Sequence, residues 1–350
     1  MQTDMHYYGT YAMARAAGLN QDTCRKIAYS AQFVDDNAGH EDLEAKDGAQ
    51  LHVTASAHHT INIKNLEKSD QPLVWVPFHF LPGVTGDTYE EKLMCVKDSE
   101  ASNKMFEHYM SLPIKEFTPY LIGVAAHVYA DTFSHYGFSG ISSDANKIDG
   151  DSFEFKDNLT DEIKKYIVDK WTAFKTRVAA SAAEELSKGL GHGAAHTFPD
   201  RPYLTWQFTY ESGESSQWRN NPETFLEACE KLHRRFKLFS ENNPEFKSSE
   251  GVNFNKIQAV VTDILSIQTD MNGRIEQWKS HASNGSLFGF KEDIPEYDAN
   301  EWLGQLNSVK DTENSQDIIN FEVFKFLQAT AMHRTYVLRE LLPEQGLLVR

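Results

Sequence analysis

FTPYLIGVAAHVYADTFSHYGFSG, Phe117 to Gly140, places His127, Asp131 and His135 at four-residue intervals inside a helical pattern. Residues four apart share one helix face, roughly 6 Å apart along the axis, so His127 and Asp131 can chelate one ion. His135 lies about twice as far from His127 and cannot reach that ion while the helix stays regular. It can serve a second ion, with Asp131 as a bridging carboxylate between the two. The apolar run Tyr120 to Ala126 implies that this helix is buried, and buried ionisable groups need strong partners. Hydrogen-bonded histidines and a salt-bridged aspartate would also satisfy that need, but three such residues in register favour ligation.

Outward from this stretch the pattern is mainly helical. His6 to Ala17 reads as a helix ended by Gly18, and Asn20 or Asp22 caps a second that runs to about Phe33. The second delivers Asp35 and Asp36 at its C-terminal end, where carboxylates oppose the helix dipole and a cation or solvent must relieve them. Residues 50 to 82 alternate in places and are aromatic and β-branched around Pro77, which predicts short strands or an extended loop. This stretch carries His58, His59 and His79. A helix is expected over Glu90 to Tyr109, an inserted loop over Ile141 to Asp157, and a long helix from Leu159 to Gly189. GLGHGAAHTFPDRPYL follows, with His192, His196 and Asp200 at intervals of four; Pro199 keeps the three off one regular helix. His192 is the ligand candidate there, and Arg201 a clamp for phosphate or carboxylate. Pro222 to Phe239, Phe254 to Trp278 and Ile318 to Leu342 are further helical stretches. The expectation is an all-α, multi-helix bundle with short extended insertions. It forms a single elaborated unit over 1–350, with a metal-binding core over 1–208 and a helical extension over 209–350 packing on it.

Composition limits the function. Fifty-one acidic against 34 basic residues give a formal net charge of −17, which repels a polyanion over most of the surface and disfavours nucleic acid as a partner. Three well-separated cysteines offer no disulfide frame and suit a reducing compartment. The opening lacks the form of a signal peptide and no stretch approaches 18 consecutive apolar residues, so the expectation is a cytoplasmic protein without a transmembrane segment. Eleven of the 14 histidines precede residue 200, which loads the chemistry toward the front. No GxSxG elbow, GxxxxGK[ST] phosphate loop, HExxH or His-Asp dipeptide occurs. Only one Glu-x-x-His unit, Glu230 to His233, is present, where a di-iron bundle needs two.

The order of His6, Asp35 in SAQFVDD, a loop histidine, HVYADTFSH and then GHGAAH resembles the zinc-dependent phospholipase C and single-strand zinc nuclease superfamily. DMHYYGTYAMARAAG, PFHFLPG and GHG…PDRPYL more closely resemble an uncharacterised bacterial domain family near it. The resemblance covers residues 1 to about 208. It implies an all-α, phospholipase C-like enzyme holding two or three zinc ions, with manganese or iron as alternatives, that activates water against a small phosphate ester or phosphodiester. By this likeness His6 serves one ion; Asp35, His127 and a loop histidine, His58 or His79, another; Asp131 bridges; and His135 with His192 holds the third. The superfamily's mature N-terminal Trp is replaced by Met1, with Asp4 placed to supply that contribution. The late HxxxE becomes His192-x-x-x-His196, leaving Asp200 as the nearby carboxylate. Asp35, Asp36 and Asp131 are the catalytic candidates, with Tyr7 and Arg201 facing the substrate, a phosphoester or carboxylate. The alternatives are a metal-dependent lyase or cyclase acting on a small metabolite, and a non-catalytic helical binding protein stabilised by an ion.

Overall fold

A computed structural model describes residues 1–39, 41–58, 70–156, 159–180, 191, 195 and 197–349, without the side chains of 170, 171 and 173–180. It is mostly helical. A π-helical turn, Asp4–Gly9, leads into α1 (Thr10–Ala16), followed by α2 (Gln21–Asp36), α3 (Gln71–Phe78), α4 (Tyr89–Leu93), α5 (Glu100–Ser111), α6 (Thr118–His135) and α7 (Asp161–Ala180). The later helices are α8 (Asn221–Asn242), α9 (Phe254–Ser266), α10 (Met271–Ser283), α11 (Asn300–Ser308), α12 (Ser315–Ile318), α13 (Glu322–Tyr336) and α14 (Leu342–Glu344). Two small antiparallel sheets sit among them. One pairs β1 (Leu43–Glu44) with β2 (Gln50–Leu51), and the other orders β3 (Glu154–Phe155), β4 (Thr205–Gln207) and β5 (Arg219–Asn220).

Helix α6 is the axis. Every one of its residues is buried, as expected of a helix apolar on nearly all sides. It packs against α2, α5, α8 and α13, so the C-terminal helices surround it as well as the early ones. Gly123 permits the α2 crossing: a Cβ there would stand 2.4 Å from the Ile27 carbonyl and 2.6 Å from Ser30 Cβ. At the other end Arg219, fully buried, donates to the Ser134 and Tyr136 carbonyls at 2.7 and 2.8 Å. A cation on the last carbonyls of a helix answers both their missing partners and the negative end of the dipole. Asn20 caps α2 by accepting from Thr23 N–H at 2.9 Å.

Two apolar cores meet beside this axis. The larger includes Phe78, Tyr129 and Phe133; the smaller joins Phe80, Phe138, Leu159, Ile163, Phe198 and Trp206. His79 stands between Phe78 of one and Phe80 of the other, at the seam.

Several local expectations differ from what is observed. Residues 71–78 form helix α3, not a strand or loop. A short apolar run does not declare its period, and Pro77 is tolerated near the helix end because the carbonyl it leaves unpartnered belongs to Leu73, which is exposed. Glu90 to Tyr109 divides into α4 and α5, with Ser99 capping the second. Phe254 to Trp278 divides where Asp270 caps α10. The helix over Leu159 to Gly189 is described only as α7; residues 181–190 lie outside the described set.

Two predictions follow from the packing. Gly123→Ala should destabilise the fold by about 1–3 kcal/mol, because backbone and Cβ atoms of α2 cannot yield; a thermal melt reads it. His333 is the second case. It is buried, accepts from Tyr109 Oη at 2.9 Å and donates from Nε2 to the Pro77 carbonyl at 2.7 Å, and burial pushes its pKa down to about 4. The folded chain then binds fewer protons than the unfolded one between that value and the ordinary 6.5. This contribution is complete above pH 6.5 and falls as pH drops through the window, by up to about 3 kcal/mol. Urea denaturation at pH 7 and pH 5 should show a shallower acid-side loss for His333→Gln than for the parent chain.

Candidate metal centre

Four chain segments converge on Asp131. Helix α6 supplies Asp131, His127 and His135; the C-terminal turn of α2 supplies Asp35; the residue after α3 supplies His79; and the π-helical turn supplies His6. Asp131 Oδ2 lies 3.2 Å from His127 Nε2, 3.4 Å from His79 Nδ1 and 3.5 Å from His135 Nδ1, yet it has no well-aligned hydrogen bond among the described residues. Asp131 is 1% exposed.

The protons of these rings are accounted for elsewhere. His127 Nδ1–H donates to the Ala31 carbonyl at 2.7 Å, His79 Nε2–H to the Ser56 carbonyl at 2.8 Å, and His135 Nδ1–H to the His79 carbonyl at 2.8 Å. In their neutral forms His127 Nε2 and His79 Nδ1, 3.2 Å apart, therefore present lone pairs to each other and to a carboxylate oxygen. Asp35 Oδ1 completes the set at 3.9 Å from His127 Nε2 and 3.8 Å from His79 Nδ1. Tetrahedral zinc with bonds of about 2.0–2.1 Å needs ligand atoms about 3.4 Å apart, and these spacings bracket that value. Outer-shell carbonyls that fix the tautomer are the usual companions of metal-binding imidazoles.

The other carboxylate oxygens face a second locus. Asp131 Oδ1 lies 3.1 Å from His6 Nε2 and 2.6 Å from the Met1 amine, and Asp35 Oδ2 lies 4.0 Å from His6 Nε2. Each of the two aspartates thus offers one oxygen to each side. His6, His127 and Asp131 form one candidate ligand group and Asp35, His79 and His127 another. His127 has one free nitrogen, so it can serve only one ion at a time. Beyond the Met1 amine, Asp200 Oδ1 lies 3.2 Å from that amine and 3.2 Å from His135 Nε2.

Electrostatics agree with a cation-seeking cluster. Burial would raise the Asp131 carboxyl, but His135, the Met1 amine, His127 and His6 more than offset it and hold the group well below the usual carboxylate range. Withdrawal from water raises Asp35 against the pull of His127 and His79. Burial lowers His6 well below its ordinary value, aided by His127 and the Met1 amine. Burial also lowers His79, but Asp131 and Asp35 reverse it, for a net rise. The side chain of Asp35 is 32% exposed while those of the other grouped residues are 5% or less, so solvent meets the cluster on the Asp35 side.

Other candidates lie outside this arrangement. Asp4 gives both oxygens to Arg274. His58 Nε2 pairs with Asp70, so of the two loop histidines it is His79 that reaches Asp131. Asp36 Oδ2 accepts from Tyr297 Oη at 2.5 Å and Gln32 Nε2 at 3.2 Å. Tyr7 is buried among Tyr8, Tyr29 and Tyr297. Arg201 is buried, not on the surface; it donates to Thr197 and Tyr203 and lies 3.9 Å over the Tyr166 ring. His192, with His59 and His196, lies outside the described residues. Sequence reading passed over Asn37, which donates to the Thr54 carbonyl and to Ser56 Oγ and so presents the Ser56 carbonyl to His79. Its only signal was an Asn closing a helix.

No curated protein and no solved structure matches the chain. A family model described as "Family of unknown function (DUF6765)" matches residues 1–341, and the chain belongs to that family.

Proposed function

We propose that the chain is a metal-dependent hydrolase of a small phosphate ester or phosphodiester, with zinc as the metal. The reading rests on one observation: Asp131 Oδ2 is buried, with no hydrogen-bond partner among the described residues, amid three imidazoles whose other nitrogens are anchored on backbone carbonyls. The Met1 amine answers Oδ1 of this carboxylate, and a buried polar atom left without a partner, as Oδ2 is, still costs on the order of 1–3 kcal/mol that a bound cation would offset. Asp35, His79, His127 and Asp131 would hold one ion, and His6 with the second oxygens of Asp131 and Asp35 another. Zinc bound there supplies Lewis acidity and lowers the pKa of a bound water toward about 7. Asp35, the ligand on the solvent side, would have to release one oxygen from an ion to admit that water, and the freed oxygen could then accept its proton. The resemblance to zinc-dependent phospholipases C and nucleases supports the same reaction class, with a small phosphoester approaching from the Asp35 side.

A non-catalytic reading has its own observation. If Asp131 Oδ2 joined Asp35, His79 and His127 on one ion, four protein ligands would form the closed shell of a structural zinc site. The exposure of Asp35 weighs against it, since a structural shell gains nothing from an open ligand. The commitments of Arg201 to Thr197, Tyr203 and Tyr166 lend no support to a lyase acting on a carboxylate.

Protein purified without chelator should carry zinc by elemental analysis, and Asp131→Ala should lose it. Zinc at 1,000 times its Kd should stabilise the parent chain by about 4 kcal/mol, with no such gain for the variant. Chelator-treated protein should hydrolyse p-nitrophenyl phosphate or bis-p-nitrophenyl phosphate only after zinc is restored. Asp35→Asn should lower kcat by about 100-fold or more. A zinc-replete chain inert on both esters would overturn the hydrolase and leave the structural ion.

A further inference from the structure

His6 differs from the other histidines of the cluster in how it is held. His79, His127 and His135 each anchor one ring nitrogen on a backbone carbonyl. Among the described residues neither nitrogen of His6 meets a backbone carbonyl. Its ring stacks on His127, at 3.9 Å between centroids and 21° between planes, and its Nε2 faces Asp131 Oδ1 at 3.1 Å. Stacking fixes the plane of a ring but leaves it free to slide, and its facing carboxylates are themselves candidate ligands, so with no carbonyl to hold the ring the backbone that carries it sets where Nε2 stands.

That backbone is the π-helical turn Asp4–Gly9, and it is pinned two residues before His6. Arg274, on α10, donates from Nε to Asp4 Oδ2 at 2.6 Å and from Nη2 to Asp4 Oδ1 at 3.2 Å and to Gln2 Oε1 at 2.6 Å. Its Nη1 donates to the Thr269 carbonyl at 3.1 Å, tying the fork to the segment before α10. Both side chains of the pair are 1% exposed. A two-pronged guanidinium contact fixes orientation as well as distance, and isolated π-helical turns recur at functional sites.

We infer that Arg274 is a positioning residue for the His6 side of the metal centre, performing through Asp4 and Gln2 what a carbonyl does for each of the other histidines. The inference rests on the two-locus reading of the centre given above. It assigns to the C-terminal helices a part in the site beyond enclosing it. Loss of the guanidinium leaves the Asp4 charge buried and uncompensated and releases the turn; the set Asp35, His79, His127 and Asp131 keeps its own anchors.

The test is a calorimetric titration of the metal-free full-length chain with zinc, with elemental analysis of the product. The parent chain should show two classes of site. Arg274→Gln should weaken one class about 10- to 100-fold, the usual effect of removing an outer-shell partner, and leave the other unchanged. The weakened class should be the one that His6→Ala loses. If Arg274→Gln does not fold, the double variant Asp4→Asn with Arg274→Gln, which buries no lone charge, gives the same reading. Parent-like binding in both classes, or equal weakening of both, in a folded variant overturns the role of Arg274 alone. A parent chain that takes up no zinc overturns the metal centre and this inference together.

Discussion

A buried carboxylate ringed by imidazoles is the constraint around which the molecule is arranged. Asp131 sits one turn before the end of a helix buried along its whole length, and in their neutral forms the rings near its Oδ2 direct their hydrogens at carbonyls. Helix packing makes the situation permanent. The close α2 crossing at Gly123 brings Asp35 and the Ala31 carbonyl to the same place, and the seam between the two cores holds His79 against it. Moving any one of these elements to relieve the charge would open apolar surface worth about 25 cal/mol per Å².

The polar connections around this point are consistent with one another. Asn37 fixes residues 54–56 so that a carbonyl meets His79, and the His79 carbonyl in turn meets His135. His333 reaches the Pro77 carbonyl two residues before His79, so α13 is tied to the same corner. Arg219 closes the end of α6 that carries His135. Chains of this kind turn the positions of distant helices into the orientation of single rings.

The helical class and the central helix were legible because a four-residue spacing of His and Asp within an apolar run has few other readings. Asp35 was legible as a carboxylate at the wrong end of a helix dipole. His79 was ambiguous: between two phenylalanines it reads as core, and it is core on both sides and polar at the edge that faces Asp131. Helix α3 was hidden by β-branched and aromatic residues, whose preference for strands yielded to the burial of Val74, Val76 and Phe78. The ion pair between Asp4 and Arg274 joins residues 270 positions apart, and nothing in local spacing encodes such a meeting. Arg201 after a turn suggested a clamp for phosphate or carboxylate; only the fold shows the tyrosines it meets.

The openness of Asp35 carries a consequence for exchange with the surroundings. Among the described residues grouped around Asp131, Asp35 is the side chain that most meets solvent, so whatever enters to react and whatever enters to strip a bound ion would pass the same aspartate. A molecule lodged at that threshold would slow the escape of anything behind it, and occupancy of the interior would then be governed by the guest at the door.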